Sequence, residues 1–395
     1  MRRIRGKNPY RQPGSSAPRP LSLLLLGLGR VGKKHLKALK RLRNAFHLGG
    51  LVSPHVEKAR QDLKQLGFGD CPVYADLDQA LAAASYDWAA IASPSGLHAS
   101  QTRRCLEAGL HCLVEKPFCM DVQEAREVLE LARERGRLLA LGHIYRYLPY
   151  MRLLKEALAA GDYGQILALD FQLYWGHPAS YYEQASWRGR WTEDGGILLN
   201  QSIHAVDLAQ YLSGGRLVQA QAQLWRLSQP IEAEDFAQVQ YQLRSVDGGL
   251  IPLTLLATSV APDQAHEVCF RIWTSQVLIT AGLKGRRPYI QVQTLDSKAA
   301  SSPLPQLHRR AWKRLWQKGP VRSFQELTNP HQAIYQDIWD CHLDPSRKLR
   351  ARGEDGLQSL AAILAAYESA LLGRACPVPP DPKFQLRDME GFFEA

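Results

Sequence analysis

Apolar positions in the first part of the chain follow two alternating patterns. Residues 21–26 form a nearly continuous apolar run, which predicts a buried strand. Residues 30–42 place apolar side chains three or four positions apart with lysines between them, which predicts an amphipathic helix. The same alternation predicts strands at 46–52, 88–92, 111–114 and 138–141, and helices at 56–66, 78–84, 98–108 and 122–135. Strands and helices joined by short links indicate a parallel sheet with helices on both faces.

The pattern changes after about residue 150. A helix is predicted at 150–160, and most later segments alternate apolar and polar residues, as antiparallel strands with one solvated face do. These strands are predicted at 166–175, 217–226, 237–244, 251–259, 267–274, 276–281 and 289–293, and two helices at 197–211 and 356–372. The sequence therefore predicts an α/β protein whose second part is an α+β domain with a large, mostly antiparallel sheet.

Positive charge is concentrated in two segments. Residues 1–20 contain six Lys or Arg and no acidic residue, and residues 305–322 contain six more, which together exceed the net charge of +11. Such patches attract nucleic acid, lipid headgroups or phosphorylated ligands, whereas the alternative is a solvated tail and a solvated helix face. We interpret residues 1–20 as a disordered basic arm and leave residues 305–322 open. Nucleic acid is the less favoured partner.

Cysteine usage and hydropathy narrow the class of protein. The chain has seven cysteines, an odd number, and no Cys-x-x-Cys pair, which favours reduced thiols over a disulfide framework or a zinc site. No apolar run approaches the roughly 20 residues of a membrane span. We therefore expect a cytoplasmic protein with no bound metal and no membrane partner.

A glycine-rich turn joins the first predicted strand to the first predicted helix. It reads Gly-Leu-Gly-Arg-Val-Gly at residues 27–32. Gly27 permits a tight turn, Gly29 lets the backbone approach a pyrophosphate, and Gly32 lets the helix pack closely on the strand. Free N–H groups at the helix N-terminus would bind the phosphates. The motif predicts a Rossmann dinucleotide-binding domain at 21–145, which leaves residues 146–395 for a second domain.

The end of the second predicted strand bears on which dinucleotide binds. An acidic residue there would hold the ribose hydroxyls of NAD, but this chain has Ser53 at that point. Lys58 and Arg60 follow and would suit the 2′-phosphate of NADP, although both side chains could equally be solvated. The cofactor is therefore predicted to be NAD or NADP.

Two further segments carry residue types suited to proton and hydride chemistry. Lys116 follows a predicted buried strand within Glu-Lys-Pro, where its charge could stabilise a developing alkoxide. Asn200 and His204 are four residues apart on a predicted helix, and a histidine in a pocket can take the proton of an alcohol. The alternatives are an ordinary surface turn for Glu-Lys-Pro and a core histidine for His204.

An aromatic stretch precedes that helix. It contains Tyr174, Trp175, Tyr181, Tyr182, Trp187, Arg188 and Trp191. Aromatic faces and an arginine suit a sugar ring and a phosphate or carboxylate, whereas the alternative is a hydrophobic dimer surface.

These segments, in this order, resemble the glucose–fructose oxidoreductase, inositol dehydrogenase and rhizopine-catabolism family (Gfo/Idh/MocA). The resemblance extends over residues 21–378 and rests on the glycine turn with His35, residues 92–98 (Ala-Ser-Pro-Ser-Gly-Leu-His), Glu-Lys-Pro, residues 146–149 (Arg-Tyr-Leu-Pro) and Glu234-Asp235. Residues 187–204 are similar to the sugar-nucleotide 3-dehydrogenase branch, whose members oxidise C3 of UDP-linked N-acetylhexosamine uronic acids. Three features depart from the family pattern: Asn200 in place of Asp, Asp194 where three glycines are usual, and the basic segment near 300–325.

The resemblance implies roles for individual residues. Lys116, His204 and Asn200 would be the catalytic group, with the proton transferred by His204 and Lys116 because an amide cannot relay it. The glycine turn and the resemblance together predict these cofactor-binding residues: Gly27, Gly29, Arg30, Val31, Gly32, Ser53, Ser93, Pro94, His98 and Glu115. The predicted substrate-binding residues are Arg146, Tyr182, Trp187, Arg188 and Gln201.

The predicted function is an NAD(P)-dependent oxidoreductase that transfers hydride between a ring carbon of a sugar or sugar nucleotide, C3 above others, and the nicotinamide. The alternative is a catalytically silent, cofactor-binding sensor or regulatory protein of the same fold. The resemblance further implies that residues 146–395 form the substrate-binding and oligomerisation domain, with a homodimer or homotetramer formed through the antiparallel sheet.

Overall fold

The computed structural model describes residues 19–262, 266–284, 287–295 and 329–394. The predicted basic arm, apart from its last two residues, and the basic segment 305–322 lie outside these ranges. Within the described ranges, no helix combines the length and the apolar character needed to cross a membrane.

The first sheet has six parallel strands in the order β3-β2-β1-β4-β5-β6. The elements are β1 (Leu21–Leu26), α1 (Arg30–Leu39), β2 (Phe46–Val52), α2 (Val56–Leu66), β3 (Val73–Tyr74), α3 (Leu77–Ala83), β4 (Trp88–Ile91), α4 (His98–Glu107), β5 (His111–Val114), α5 (Val122–Glu134) and β6 (Leu139–Leu141). The strand order reverses between β1 and β4, which opens a crevice at their carboxyl ends where such sheets bind ligands. The predicted parallel α/β sheet is confirmed.

The second sheet has eight strands in the order β13-β12-β11-β7-β10-β9-β8-β14, and only its β7–β10 pair is parallel. Its elements are α6 (Pro149–Ala159), β7 (Ile166–Trp175), α7 (Ala179–Glu183), α8 (Ile203–Ser213), β8 (Arg216–Trp225), β9 (Phe236–Arg244), β10 (Leu250–Thr258), β11 (His266–Thr274), β12 (Val277–Lys284), β13 (Arg287–Thr294), α9 (Pro330–Leu343), α10 (Gly353–Leu372) and β14 (Cys376–Pro377). Alternate residues of β8 to β10 are buried beneath helices or exposed on the opposite face. The predicted, mostly antiparallel sheet is likewise confirmed.

The C-terminal segment packs against both sheets. The Leu141 N–H donates to the Ala351 carbonyl at 3.1 Å, which joins the end of β6 to the chain that enters α10. A side chain at Gly353 would meet Leu129 and Leu139, so α10 begins in close contact with the first sheet. Helix α9, which the sequence did not predict, contacts α1. The cleft between the sheets is therefore bounded by elements far apart in the sequence.

Helices α3 and α5 are capped at their N-termini by aspartate side chains, whereas α1, at the binding crevice, is not. The carboxylate of Asp76 accepts a hydrogen bond from the Gln79 N–H at 2.9 Å and caps α3, and Asp121 caps α5 through Glu124 N–H at 2.8 Å. Helix α1 has Gly29 at this position, with no side-chain cap and no acidic residue in its first turn. Its N–H groups therefore remain available to an anion.

Candidate active site

A cleft of about 460 Å³ lies at the carboxyl ends of the first sheet and is closed on one side by the second domain. The predicted site residues that line it are Gly27, Gly29, Arg30, Val31, Ser53, Ser93, Pro94, His98, Glu115, Lys116, Trp187, Arg188 and Asn200. Lining residues that the prediction did not include are Leu28, Pro54, His55, Lys58, Ala59, Asp62, Ala92, Ser95, Tyr181 and Asp194. Gly32, Arg146, Tyr182, Gln201 and His204 do not belong to the lining.

The glycine turn has the geometry that a dinucleotide pyrophosphate requires. Gly27 has φ +90°, and a Cβ there would lie 2.7 Å from the Ala92 carbonyl oxygen. A Cβ at Gly32 would lie 2.3 Å from the Gly27 carbonyl oxygen, so Gly32 is a packing glycine. A Cβ at Gly29 would meet nothing within 4 Å, which leaves open space beside the uncapped start of α1. These residues therefore fit the phosphates of a dinucleotide.

The second strand ends at the neutral side chain of Ser53, and Lys58 lies nearby in the lining of the cleft. Ser53 is buried, and its hydroxyl accepts a hydrogen bond from the His55 N–H at 3.3 Å. Lys58 is exposed on the rim of the cleft, whereas Arg60 pairs with Glu57 at 2.6 Å and does not line it. Of the two predicted cations, only Lys58 is placed to contact a ribose or its phosphate.

His98 holds two loops of the cleft together. Its Nδ1 lies 2.7 Å from the Pro117 carbonyl oxygen, and its Nε2 lies 3.0 Å from the Ser93 carbonyl oxygen. Burial lowers the pKa of this imidazole, while the two carbonyl oxygens oppose that shift. Because both ring nitrogens face protein carbonyls, His98 supports the Ser93–Pro94 segment and has no nitrogen to offer to the cofactor.

Glu115 belongs to a buried network that the sequence analysis missed. Its carboxylate lies 3.0 Å from His35 Nε2 and 3.4 Å from His331 Nε2, and His35 Nδ1 lies 2.9 Å from the Tyr335 hydroxyl. Burial opposes ionisation of Glu115, but the two histidines outweigh it and hold the pKa of its carboxyl well below the usual range. The atoms of His35, Glu115 and His331 that could bind a metal ion lie within 4.8 Å of one another. The hydrogen bonds among these residues already explain this spacing. His331 and Tyr335 lie on α9 and had no sequence signal near the site.

Lys116 is half-buried, and its ammonium donates a hydrogen bond to the Asn200 backbone carbonyl. Burial lowers the pKa of the amine to about 8, while the charges of Asp194 and Glu115 oppose that shift. The amine is therefore mostly charged at neutral pH. Because its pKa is close to neutral pH, a change in the charges around it would change the fraction that is protonated.

Asn200 lies in a turn of π-helix, Leu198–Ser202, that leads into α8. The helix predicted at 197–211 is present, and the sequence did not predict that its start is a π-turn. The first residue of the turn is held by Glu234, whose side-chain Oε1 accepts a hydrogen bond from the Leu198 N–H at 2.8 Å. Such π-turns recur at functional sites because they displace one residue from the regular helical pattern.

The Asn200 amide is bound from two sides. Its Nδ2 donates to the Asp194 carboxylate at 2.6 Å, and its Oδ1 accepts from Gln201 Nε2 at 2.8 Å. Gln201 is buried and is not among the residues that line the cleft, and its side chain supports Asn200.

His204 lies beside the cleft and not in its wall. Its ring meets Tyr145 edge-on at 5.1 Å between centroids. Burial, and then the charge of Lys116, lower the pKa of His204 well below its ordinary value. Its Nδ1 is buried without a hydrogen-bond partner among the described residues. The imidazole is therefore neutral and is not committed to the protein at that nitrogen.

Part of the aromatic stretch forms the outer wall of the cleft. The Arg188 guanidinium lies 4.0 Å from the ring centroid of Tyr181 and 5.4 Å from that of Trp187. Tyr181 in turn stacks on His177, with 3.8 Å between centroids. Tyr182, which was predicted to bind the substrate, packs edge-on against Tyr181, and Tyr181 is the tyrosine of the pair that lines the cleft.

Arg146, predicted to bind substrate, is buried elsewhere. Its guanidinium donates to the Asp207 carboxylate, to the Arg350 carbonyl at 3.0 Å and to Asp355 at 3.0 Å. Because its charge is neutralised and its donors are occupied by the protein, the structure assigns it to the scaffold.

Comparisons with known proteins agree with this architecture. Residues 21–143 match the model of an oxidoreductase family with an NAD-binding Rossmann fold, and residues 151–276 match the GFO/IDH/MocA C-terminal domain. The chain is 28% identical over 244 residues to 4-carboxy-2-hydroxymuconate-6-semialdehyde dehydrogenase of a Sphingobium strain, which covers 61% of this chain and 74% of that protein. It is 27% identical over 198 residues to UDP-N-acetylglucosamine 3-dehydrogenase of Acidithiobacillus ferrooxidans, covering 50% of this chain and only 56% of that protein.

A solved structure extends the likeness over almost the whole chain. The WlbA dehydrogenase of Bordetella pertussis, crystallised with NADH and UDP-GlcNAcA, superposes with a TM-score of 0.78 at 25% identity, covering 93% of this chain and 100% of that one. With the family models, the two sheets and the uncapped glycine turn in agreement, this chain belongs to the GFO/IDH/MocA family of oxidoreductases, which bind NAD through a Rossmann fold.

Proposed function

We propose that this protein is an NAD(P)-dependent dehydrogenase that transfers hydride between C3 of a sugar or sugar nucleotide and the nicotinamide. The observation that carries the proposal is the meeting of the glycine turn, Lys116 and Asn200 in one cleft. UDP-N-acetylglucosamine 3-dehydrogenase and the UDP-GlcNAcA complex of WlbA support a sugar-nucleotide substrate oxidised at C3.

The chemistry divides between a cation and a neutral base. When bound, the cofactor supplies a hydride acceptor at the nicotinamide ring. Lys116 hydrogen-bonds the substrate hydroxyl and stabilises the negative charge that develops on oxygen. His204 is neutral at physiological pH and accepts the hydroxyl proton during oxidation, then returns it during reduction.

The outer wall would hold the rest of the substrate. Tyr181 and Trp187 offer aromatic faces to a sugar ring or a base, and Arg188 offers a cation to a phosphate or carboxylate. Arg188 already donates to the Tyr181 carbonyl, which fixes its position before the substrate arrives.

The test compares turnover of the wild-type protein with that of Lys116→Ala and His204→Ala. NAD or NADP is mixed with a panel of sugars and sugar nucleotides, and reduced-nicotinamide absorbance is followed. Each variant is expected to lose about 100-fold or more in kcat, as removal of an acid–base or charge-stabilising group does. Lys64→Ala, at an exposed position on α2, is the control. Full turnover in both active-site variants would refute the assignment.

A sensor that binds the cofactor without turnover is the second candidate. It is favoured by the Asn200 amide, which is held by Asp194 and Gln201 and cannot carry a proton. Tight NADH binding combined with no oxidation or reduction across the whole panel would support it over the dehydrogenase.

We further propose that the exposed face of the second sheet joins copies of this chain into a homodimer or homotetramer. A shallow depression there is lined by Asp170 and by glutamines whose amides can pair with themselves across a two-fold axis: Gln172, Gln221, Gln223, Gln238 and Gln240. Light scattering should give a multiple of the chain mass, and Gln223→Arg with Gln240→Arg should lower it. A wild-type monomer would contradict the proposal.

We also place the protein in a reducing compartment such as the cytoplasm. All seven cysteines are unpaired, and six of them are buried. Thiol titration of the unfolded protein should therefore find seven reactive groups without prior reduction. A smaller number in protein purified from its own cell would contradict this location.

A further inference from the structure

Asp194 places a buried carboxylate in the cleft, at a position where the sequence analysis recorded only a departure from glycine. The side chain is 3% exposed. Its Oδ1 accepts the 2.6 Å hydrogen bond from Asn200 Nδ2, and the Gly189 N–H approaches Oδ2 at 3.5 Å. The backbone N–H of Asp194 donates to the Arg190 carbonyl at 3.1 Å. The carboxylate is therefore fixed at the cleft wall from both ends.

Asp194 and Lys116 are joined through one residue. Lys116 donates to the backbone carbonyl of Asn200, while Asp194 binds the side chain of the same residue. Both groups line the cleft. The amine and the carboxylate thus face one small volume, and Asn200 binds both. Burial raises the pKa of the Asp194 carboxyl, while the charge of Lys116 and the hydrogen bond from Asn200 oppose that shift.

The other charged groups near Lys116 cannot take over this role. Glu115 is the second nearby carboxylate, but it is bound to His35 and His331. Arg30 and Lys34 are cations and favour the neutral amine, as burial does. His204 is neutral and contributes no charge of its own. Asp62 also lines the cleft, but it pairs with Lys33 at 2.9 Å. Among the described residues, Asp194 is therefore the carboxylate in the cleft that is left to balance the ammonium.

We propose that Asp194 is a positioning residue that keeps Lys116 in its charged form and orients the Asn200 amide, and so supplies the carboxylate that residue 200 lacks. Its value for catalysis rests on the proposed function of Lys116, since only the charged amine can stabilise an alkoxide. Its effect on the ionisation of Lys116 is independent of that function. A purely structural role would instead affect folding and leave the ionisation of Lys116 unchanged.

The experiment measures the ionisation of Lys116 in the ligand-free protein. Amines react with an acylating reagent only when neutral, so the acylation rate of Lys116, followed by peptide mass spectrometry across pH, gives its midpoint. Lys37, exposed on α1, is the internal reference for the reagent. Asp194→Asn should lower the Lys116 midpoint by about one pH unit, the low end of the effect of a nearby opposite charge.

Further variants test whether the shift in the Lys116 midpoint is specific to the Asp194 carboxylate. Glu193→Gln removes a carboxylate one residue away that pairs with Arg190 at 3.8 Å, and it should leave the midpoint of Lys116 unchanged. Asp194→Asn combined with Asn200→Asp exchanges the two partners of the 2.6 Å hydrogen bond and should recover at least half of the lost shift. If Asp194→Asn does not fold, Asp194→Glu keeps the charge and should hold the midpoint near that of the wild type.

An unchanged midpoint in Asp194→Asn, or no recovery in the exchanged pair, would overturn the proposal. The pH dependence of kcat provides a separate readout, because the alkaline limb should move with the midpoint of Lys116. A shifted midpoint in a protein without turnover would uphold the role of Asp194 and refute the dehydrogenase function. Turnover combined with an unshifted midpoint in Asp194→Asn would uphold the dehydrogenase function and refute the role of Asp194.

Discussion

The guanidinium of Arg146 donates three hydrogen bonds to the carboxylate of Asp207, at 2.6, 2.9 and 3.1 Å. Both side chains are buried, at 6% and 1% exposure. The pair joins the segment after β6 to α8, and the further contacts of Arg146 with Arg350 and Asp355 add the start of α10. One buried cation thus connects the segment after β6 with α8 and with the start of α10.

Arg146→Ala is expected to destabilise the protein by about 3–5 kcal/mol, because it leaves the Asp207 charge buried without its partner. The free energy of unfolding in urea measures this. Arg60→Ala, which removes an exposed pair with Glu57, is the matched control and should change it by less than about 1 kcal/mol. Wild-type stability together with a raised KM would instead return Arg146 to the substrate site.

Arg188 and Arg146 were both predicted to line the substrate site, but only Arg188 lines the cleft, which illustrates what the sequence can predict. Strands and the glycine turn follow from local patterns: the apolar run of β1 and the spacing of Gly27, Gly29 and Gly32 are visible within a dozen residues. Arg188 was predicted to face the cleft and does so. Arg146 was predicted to do the same, but its partner Asp207 lies 61 residues away and no local pattern joins them.

The same limit applies to the rest of the site. His331 reaches Glu115 from α9, more than 200 residues further along the chain, so its role appears only in three dimensions. The π-turn at Asn200 depends on Glu234, a buried carboxyl from the segment before β9. Asp194 was visible as a departure from glycine, but its hydrogen bond to Asn200 was not. Local periodicity thus predicts elements, whereas long-range partners decide which polar side chains face the ligand.

Alanine substitutions in the glycine turn should separate folding from cofactor binding. Gly27→Ala forces a Cβ onto a residue at φ +90° and within 2.7 Å of the Ala92 carbonyl, and should destabilise the protein by about 2 kcal/mol or more. Gly29→Ala enters open space at φ −72° and should change stability by less than about 0.5 kcal/mol.

Gly29→Ala should nevertheless weaken NADH binding by about tenfold or more, near 1.4 kcal/mol, because the methyl group occupies the approach to the helix N-terminus. Thermal unfolding measures stability, and a fluorescence titration with NADH measures affinity. Normal NADH affinity in Gly29→Ala would show that the phosphates bind elsewhere.

Glu234 should make stability depend on pH. Burial raises the pKa of its carboxyl to about 8, so the folded protein holds a proton that the unfolded chain releases near its ordinary value of 4.5. Its contribution to stability is complete below the unfolded pKa and is lost as pH rises towards 8. The slope is about 1 kcal/mol per pH unit. Glu234→Gln cannot ionise and should lack this loss.

The measurement is the free energy of unfolding of wild type and Glu234→Gln at several pH values between the two pKa values. As pH rises, the free energy of unfolding of the wild type should fall relative to that of Glu234→Gln. Glu232→Gln, two residues away, is the control and should run parallel to the wild type. A constant difference between Glu234→Gln and wild type would contradict a protonated Glu234.

Lys58 should distinguish the two nicotinamide cofactors. It is the cation on the cleft rim beside Ser53, where the ribose 2′ position would lie, whereas Arg60 is paired with Glu57. Lys58→Ala should weaken NADP binding by about tenfold, the effect of one charge-assisted hydrogen bond, and change NAD binding less than about twofold. Arg60→Ala should change neither affinity. Calorimetric titration of both cofactors measures this, and equal losses for NAD and NADP in Lys58→Ala would show that Lys58 contacts a group common to both.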